Sequence, residues 1–369
     1  MQIPVNEPLL NGNEKRYLSE CIDSGWISSE GPFVARFEKE FAATVSRRHG
    51  IATANGSGAL DVAIAALGLG PGDEVIMPSF TIISCAQAIV RQGATPVLVD
   101  CDQANWNMDA DQIEAKITPR TRAIMAVHIY GLTSAMEKIL DLANRYHLKI
   151  IEDAAQAIGQ HHNGQPCGSF GDLSIVSFYP NKHITTGEGG MVLTDNQELA
   201  DRCRALINLC FQPQKRFVHK ELGWNYRMTN LQAAVGCAQL EQLSRHVARK
   251  REIGHLYNTL LCDCPVQRPL PSAHGTENIY WVYGLVLPDD APLSATKAMS
   301  RLSTKGIGTR PFFWPMHQQP VFLQMGLFQD HHLPVSERLA RQGLYLPSGL
   351  AITDTQIQYV ADEVKRILQ

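Results

Sequence analysis

The sequence predicts an α/β protein: a mixed, mostly parallel sheet lies between layers of helix, followed by a smaller C-terminal α/β unit. Three observations carry this. Between about residues 50 and 200, short strand-like runs alternate with helical patterns. The strand-like runs are apolar and β-branched, which predicts a sheet covered on both faces. Turn-forming steps such as Gly70-Pro-Gly-Asp73 and Gly93-Ala-Thr-Pro96 punctuate the alternation.

Residues 1–30 read as an N-terminal arm with one short helix. Residues 31–240 read as the large unit and 241–369 as the small one. The expected strands are Ile51–Ala54, Glu74–Pro78, Thr95–Val99, Ala123–His128, Lys149–Glu152, Leu173–Phe178 and Gly190–Thr194. Helical patterns lie between most of them, at Gly58–Leu67, Ile82–Gln92 and Met136–His147. A long helical stretch from Asn230 to about Leu261 leads to the smaller unit. There a strand is expected over Tyr280–Leu287 and a helix over Ser294–Lys305. A loop rich in proline and aromatics follows, Arg310-Pro-Phe-Phe-Trp-Pro-Met-His317. A last helix starts near Asp354: Thr353 and Gln356 have capping-box spacing, and Ile357, Val360, Val364 and Ile367 share a face.

The chain has 369 residues, 44% of them hydrophobic and 19% charged, enough for a sizeable core. A net charge of −3 argues against a general nucleic-acid surface. No apolar run reaches membrane-spanning length. Nine scattered cysteines, with no C-x-x-C pair, suit a reducing compartment. The N-terminus lacks the basic and apolar regions of a signal peptide, so a cytoplasmic location is expected.

The densest chemistry lies in Ser174-Ile-Val-Ser-Phe-Tyr-Pro-Asn-Lys-His-Ile-Thr-Thr-Gly-Glu-Gly-Gly190. Lys182 stands between an apolar strand and a Gly-rich turn. A lysine held against an apolar wall loses its proton easily and attacks carbonyls. Asp153 ends another apolar strand, at the edge where open α/β sheets bind ligands. A buried carboxylate there can pair with a protonated pyridine. Those two groups are what pyridoxal phosphate asks of a protein. Gln156 is placed to reach the ring oxygen. Gly56, Ser57 and Gly58, in a strand–turn–helix step, form a phosphate cradle, with Ser177 as a second hydroxyl. Asn225 and Arg227, among aromatics before the long helix, suit phosphate or carboxylate. His128, His183, Glu188 and His317 lie near these residues in sequence. No His/Asp/Glu set has metal spacing, so no metal is expected.

Taken in order, these pieces resemble the DegT-like family of pyridoxal-phosphate-dependent, fold-type I sugar aminotransferases. The matching segments are Gly25-Trp-Ile-Ser-Ser, Asn55-Gly-Ser, Gly70-Pro-Gly-Asp-Glu-Val-Ile-Met-Pro78, Gly93-Ala-Thr-Pro-Val-Leu-Val-Asp100, Val127-His-Ile-Tyr-Gly131 and Glu152-Asp-Ala-Ala-Gln156. They continue through Gly168-Ser-Phe-Gly-Asp172, the Lys182 segment, Asn225-Tyr-Arg-Met-Thr-Asn-Leu-Gln-Ala-Ala234, and Arg310-Pro with Pro315-Met-His317. The resemblance implies that Lys182 is the covalent cofactor lysine and proton shuttle. It implies that Asp153 is the pyridinium partner, that Gln156 meets the ring oxygen, and that Ser57, Gly58 and Ser177 hold the phosphate. Asn225 then reaches the phosphate of the other subunit, so a homodimer with shared active sites is implied. Arg227 is assigned to the donor carboxylate. Arg310 and His317, with His183 and Glu188, are assigned to the substrate side. Ile82 occupies a position where relatives often carry an aromatic residue stacked on the pyridine ring.

Within the family, Asn181–Gly190 and Trp224–Asn230 look closest to the perosamine synthases. That branch implies glutamate as amino donor, the 4-keto group of GDP-4-keto-6-deoxymannose as acceptor, and a role in surface polysaccharide (lipopolysaccharide O-antigen) biosynthesis. Segment 208–216 departs from the branch's Gly-Gln-Gly pattern. It leaves open a nucleotide-free acceptor of the 8-keto-3-deoxy-octulosonate type. A 3-dehydratase branch carries histidine where Lys182 stands, which favours transamination here. A non-catalytic cofactor-binding regulator is the remaining alternative.

Overall fold

A computed structural model describes residues 2–212 and 214–368. Two helices, α1 (Glu14–Ser24) and α2 (Pro32–Thr44), precede the main sheet. Proline at the first turn of α2 fits a position whose N–H needs no partner. Strands β1 (His49–Thr53), β2 (Glu74–Pro78), β3 (Thr95–Val99), β4 (Thr121–Val127) and β5 (Lys149–Asp153) follow, separated by α3 (Gly56–Ala66), α4 (Ile83–Arg91) and α5 (Met136–Tyr146). A small hairpin, β6 (His161–His162) and β7 (Gln165–Pro166), leads to β8 (Leu173–Ser177) and β9 (Gly190–Thr194).

The seven-stranded sheet runs β1-β9-β8-β5-β4-β2-β3. β3, β2, β4, β5 and β8 are parallel. β9 is antiparallel to both neighbours. All seven expected strands are present within a residue or two of their expected bounds.

Successive residues of each strand point to opposite faces. On β2, Val75 and Met77 pack with α3, α4 and α6 (Gln197–Ile207), while Ile76 joins the layer of α2, α5 and α7 (Asn230–Leu240). Both faces are dry, which is why the strands read as unbroken apolar runs.

The expected long helix is two helices, α7 and α8 (Leu243–Leu260). Glu241 caps α7, its N–H still on Cys237 O, and Gln242 turns the chain into α8; the Glu241 side chain is held by Tyr17, Asn13 and Arg36. Thr229 and Gln232 form a capping box at the start of α7. The chain then makes a hairpin, β10 (Ser272–Ala273) and β11 (Thr276–Glu277). A three-stranded antiparallel sheet follows, β12-β14-β13, made of Tyr283–Val286, Gly343–Leu346 and Arg310–Pro311. α8, α9 (Ala295–Thr304) and α12 (Asp354–Leu368) pack a separate apolar core on this sheet, around Tyr257, Tyr283, Leu302 and Val360. Short helices α10 (Pro320–Gln324) and α11 (Pro334–Gln342) connect its strands. Among the described residues, no helix is long and apolar enough to cross a membrane.

Candidate active site

The C-terminal ends of β2, β5 and β8 open into a cleft of about 370 Å³. Asp153, Gln156, Ser177 and Lys182 line one side, with Gly56, Ser57 and Ile82 from the starts of α3 and α4. Trp281, Phe313 and Tyr345 close the other side, and Glu188 and Asn181 lie at the edge.

The loop carrying Lys182 is tied down at both ends. Phe178 N–H donates to Gly189 O at 2.9 Å, and its carbonyl accepts from Thr186 N–H at 3.0 Å and the Thr185 hydroxyl at 2.8 Å. Lys182 N–H closes a turn to Tyr179 O at 2.9 Å. Gly187 supplies the left-handed step (φ +80°) that brings the loop back to β9. Lys182 is half-buried, and what is accessible opens into the walled cleft rather than bulk water. Its Nζ sits 3.8 Å from the centroid of the Trp281 ring. Burial pushes this amine down to about 7, against the negative charge of Asp153, which favours the ammonium. A large neutral fraction at neutral pH is what a nucleophilic lysine needs.

Asp153 is 2% exposed. Its Oδ1 accepts from Ala155 N–H at 3.0 Å and its Oδ2 from the Cys85 thiol at 3.3 Å. Burial raises its pKa, against the Ala155 amide and Cys85. A buried carboxyl in that condition gains most from a cationic partner. Behind it, Glu152 accepts from Gly168 and Phe170 N–H at 2.7 and 2.8 Å and meets His128 Nε2 at 3.0 Å. His128 Nδ1 takes Ser134 N–H, so Nε2 is the protonated nitrogen. Among the described residues, His128, Glu152 and Cys167 are the only group close enough to share an ion. Hydrogen bonds account for His128 and Glu152 as a scaffold at β5, and the Cys167 thiol is held neutral by burial.

Gln156 is buried, and its Oε1 is taken by Tyr130 N–H at 2.9 Å, leaving its amide N–H₂ for the cleft. Gly56 packs so closely on β8 that a Cβ would lie 2.7 Å from Ser177 Cβ. Gly190 is equally constrained, with Asn55 O at 2.6 Å from a would-be Cβ. These two contacts bring the start of α3 against Ser177. The Ser57 hydroxyl shares a 2.7 Å hydrogen bond with Ser84, a cleft residue with no motif to announce it. Gly58 differs from its expected role. The helix starts at Gly56 rather than Gly58, so Asn55 is the N-cap and its Oδ1 already takes Gly58 N–H at 2.8 Å.

The remaining expected residues stand off the cleft wall. His183 is fully buried: its Nε2 donates to Ile279 O at 3.1 Å, and burial pushes it down to about 3. His317 is also buried, between the Ser79 hydroxyl at 2.8 Å and Glu337 at 3.0 Å. Arg310 is exposed on β13, in register with Tyr345 of the cleft. Arg227 lines a second cleft with Ser29, Glu30, Arg204 and Asn208, and its Nη2 donates to Asn225 Oδ1 at 3.1 Å. Asn225 is exposed there.

The donor set fits pyridoxal phosphate. A half-neutral amine, a buried carboxylate short of positive charge and a free buried amide surround one cleft. A glycine–serine helix start with Ser177 lies at its far end.

Comparison with known proteins agrees. The profile of the DegT/DnrJ/EryC1/StrS aminotransferase family matches residues 8–365. The chain is 41% identical over 369 residues to the GDP-perosamine synthase of Caulobacter vibrioides, covering 100% of this chain and 98% of that protein. It is 39% identical over 363 residues to that of Vibrio cholerae, covering 98% of each. The aminotransferase TlmJ of Streptoalloteichus hindustanus superposes with a TM-score of 0.92 at 30% identity, over 100% of this chain and 99% of that one. The sheet order and flanking layers are those of the fold-type I aminotransferases. The chain belongs to the DegT/DnrJ/EryC1/StrS aminotransferase family and is a pyridoxal-phosphate-dependent aminotransferase.

Proposed function

We propose that this enzyme transfers the amino group of glutamate to the 4-keto carbon of GDP-4-keto-6-deoxymannose, giving GDP-perosamine and 2-oxoglutarate for surface polysaccharide synthesis in the cytoplasm. The observation that carries the reading is end-to-end similarity, near 40% identity, to two GDP-perosamine synthases. A relative at 38% identity over 90% of the chain is named a UDP-N-acetyl-3-dehydro-α-D-glucosamine 3-aminotransferase, so a UDP-linked 3-keto sugar is the acceptor to test against.

Lys182 is the residue we assign to catalysis. Its Nζ takes the α-proton of glutamate in one half-cycle and returns a proton to the sugar's C4 in the other. Pyridoxal phosphate, when bound, supplies an aldehyde that receives the amino group and a conjugated ring that holds the electron pair left by that proton. Asp153 would hold the ring nitrogen protonated, and Gln156 would donate to the ring oxygen. Gly56, Ser57 and Ser177 would hold the phosphate, and Ile82 would pack against the ring. Trp281, Phe313 and Tyr345 exclude water from the sugar side. The large unit, 31–240, holds the cofactor, and 241–369 supplies this aromatic wall.

Asn225 stands off its own cleft among exposed residues, next to a segment with Phe217 81% and Leu222 93% exposed. Those facts support a homodimer in which Asn225 and Arg227 serve the partner's site, Asn225 on the phosphate and Arg227 on the donor carboxylate. Of segment 208–216, Pro213 lies outside the described residues.

The test is mass spectrometry of the product from enzyme, pyridoxal phosphate, glutamate and GDP-4-keto-6-deoxymannose. The expected result is a ketone-to-amine mass change with one 2-oxoglutarate formed per sugar. Loss of water from the sugar contradicts transamination. An unchanged GDP sugar, with amination of a UDP-linked 3-keto sugar or a keto sugar acid instead, contradicts the assigned acceptor.

A further inference from the structure

A second buried amine stands behind the cleft wall. Lys250 on α8 is 1% exposed, and among the described residues it pairs with no carboxylate. Its Nζ donates to Trp281 O at 2.9 Å and Ser348 O at 2.6 Å. Trp281 is the residue whose ring lies over Lys182 Nζ at 3.8 Å, and its Nε1 donates to Asn181 O at 2.8 Å, one residue before Lys182. Two more contacts grip the same loop from behind: His183 Nε2 on Ile279 O, and His246 Nδ1 of α8 on His183 O at 2.9 Å. Lys250 therefore fixes the backbone of the residue that covers the reactive amine.

A methionine would fill this space without the desolvation cost of an amine that has no counterion. The lysine needs another reason. We propose that Lys250 is a positioning residue for Lys182: through its two carbonyl contacts it locks Trp281 over the reactive amine and keeps water from it. This rests on Lys182 being the nucleophilic lysine.

The titratable groups around Lys182 are Asp153 from β5, Cys85 from α4, Lys250 from α8 and the adjacent His183. Burial holds the Cys85 thiol and both His183 and His246 in their neutral forms. Burial is what lowers the Lys182 amine, against Asp153 and then Cys85, which favour its ammonium. Lys250 is itself pushed down to about 7 by burial and then by Lys182. The Trp281 ring, 3.8 Å from Lys182 Nζ, supplies part of the Lys182 burial. The hold of Lys250 on Trp281 O therefore bears on the reactive amine through desolvation.

Competitive acetic anhydride labelling of the full-length apoprotein across pH, read by peptide mass, gives the Lys182 midpoint directly. In wild type it is expected near 7. In Lys250→Met, which removes both carbonyl contacts and loosens Trp281, it is expected to rise by about one unit as water reaches the amine. Trp281→Ala, which removes the cover outright, is expected to raise it at least as far. The Met variant also loses about tenfold in kcat with KM little changed. The proposal is overturned by a Lys182 midpoint that stays unmoved in Lys250→Met, or by one that stays unmoved in Trp281→Ala. A wild-type midpoint near 10 overturns it together with the assignment of Lys182 as nucleophile.

Discussion

Lys182→Ala is expected to lower turnover by roughly 10²–10⁴-fold, the usual contribution of a positioned proton-transfer group. The folded structure should survive the change. The loop is held by Phe178, Thr185, Thr186 and Gly189 through backbone and hydroxyl contacts, none of which uses the lysine side chain. The variant should therefore still bind the cofactor noncovalently through the residues around Asp153 and Ser177 while failing to exchange protons. Steady-state kinetics with a parallel circular dichroism spectrum separates the two. A variant with near-normal turnover would remove Lys182 from the chemistry.

Asp153→Asn is the second large effect. The substitution keeps size and the Ala155 contact but deletes the buried negative charge. Truncating one member of a buried charge pair costs about 2–5 kcal/mol, so the loss in turnover is expected at roughly 30- to several-thousand-fold. It carries a sign that a packing defect would not. Asp153 favours the charged form of Lys182, so its neutralisation should move the Lys182 labelling midpoint of the apoprotein to lower pH. That is opposite to the shift expected on removing Lys250. A midpoint that stays fixed while turnover falls would show that Asp153 acts without electrostatic contact with Lys182.

Much of this site was legible because the reading depended on local pattern. Asp153 and Ser177 end buried strands, and a strand's end is visible wherever an apolar run meets polar or Gly-rich sequence. Lys182 follows one of those strands within a tied loop whose glycines are themselves a signal. The aromatic wall was not legible. Trp281, Phe313 and Tyr345 reach the cleft only because the three-stranded sheet folds back onto the large sheet, and nothing near each residue marks that contact. His183 follows Lys182 directly, and because neighbours along a loop face opposite ways its ring turns into a buried hydrogen bond with Ile279 O. His317 is buried between Ser79 and Glu337, partners far from it in sequence or hidden by the fold. The break between α7 and α8 was hidden for a similar reason. Glu241 suits a helix, and the hydrogen bonds that accompany the break come from Asn13, Tyr17 and Arg36, more than 200 positions away. Lys250 stands in the run Arg249-Lys-Arg251, where nothing local sets it apart from its charged neighbours. Its burial exists only in three dimensions.

Lys182, rather than any other lysine, is expected to form the covalent link to pyridoxal phosphate. Borohydride reduction of the cofactor-loaded protein, followed by digestion and peptide mass mapping, checks this. A stable pyridoxyl group should appear on the peptide containing Lys182 and on no other. A label on Lys250 or another lysine, or a fully loaded protein with no covalent label, would remove Lys182 from that role.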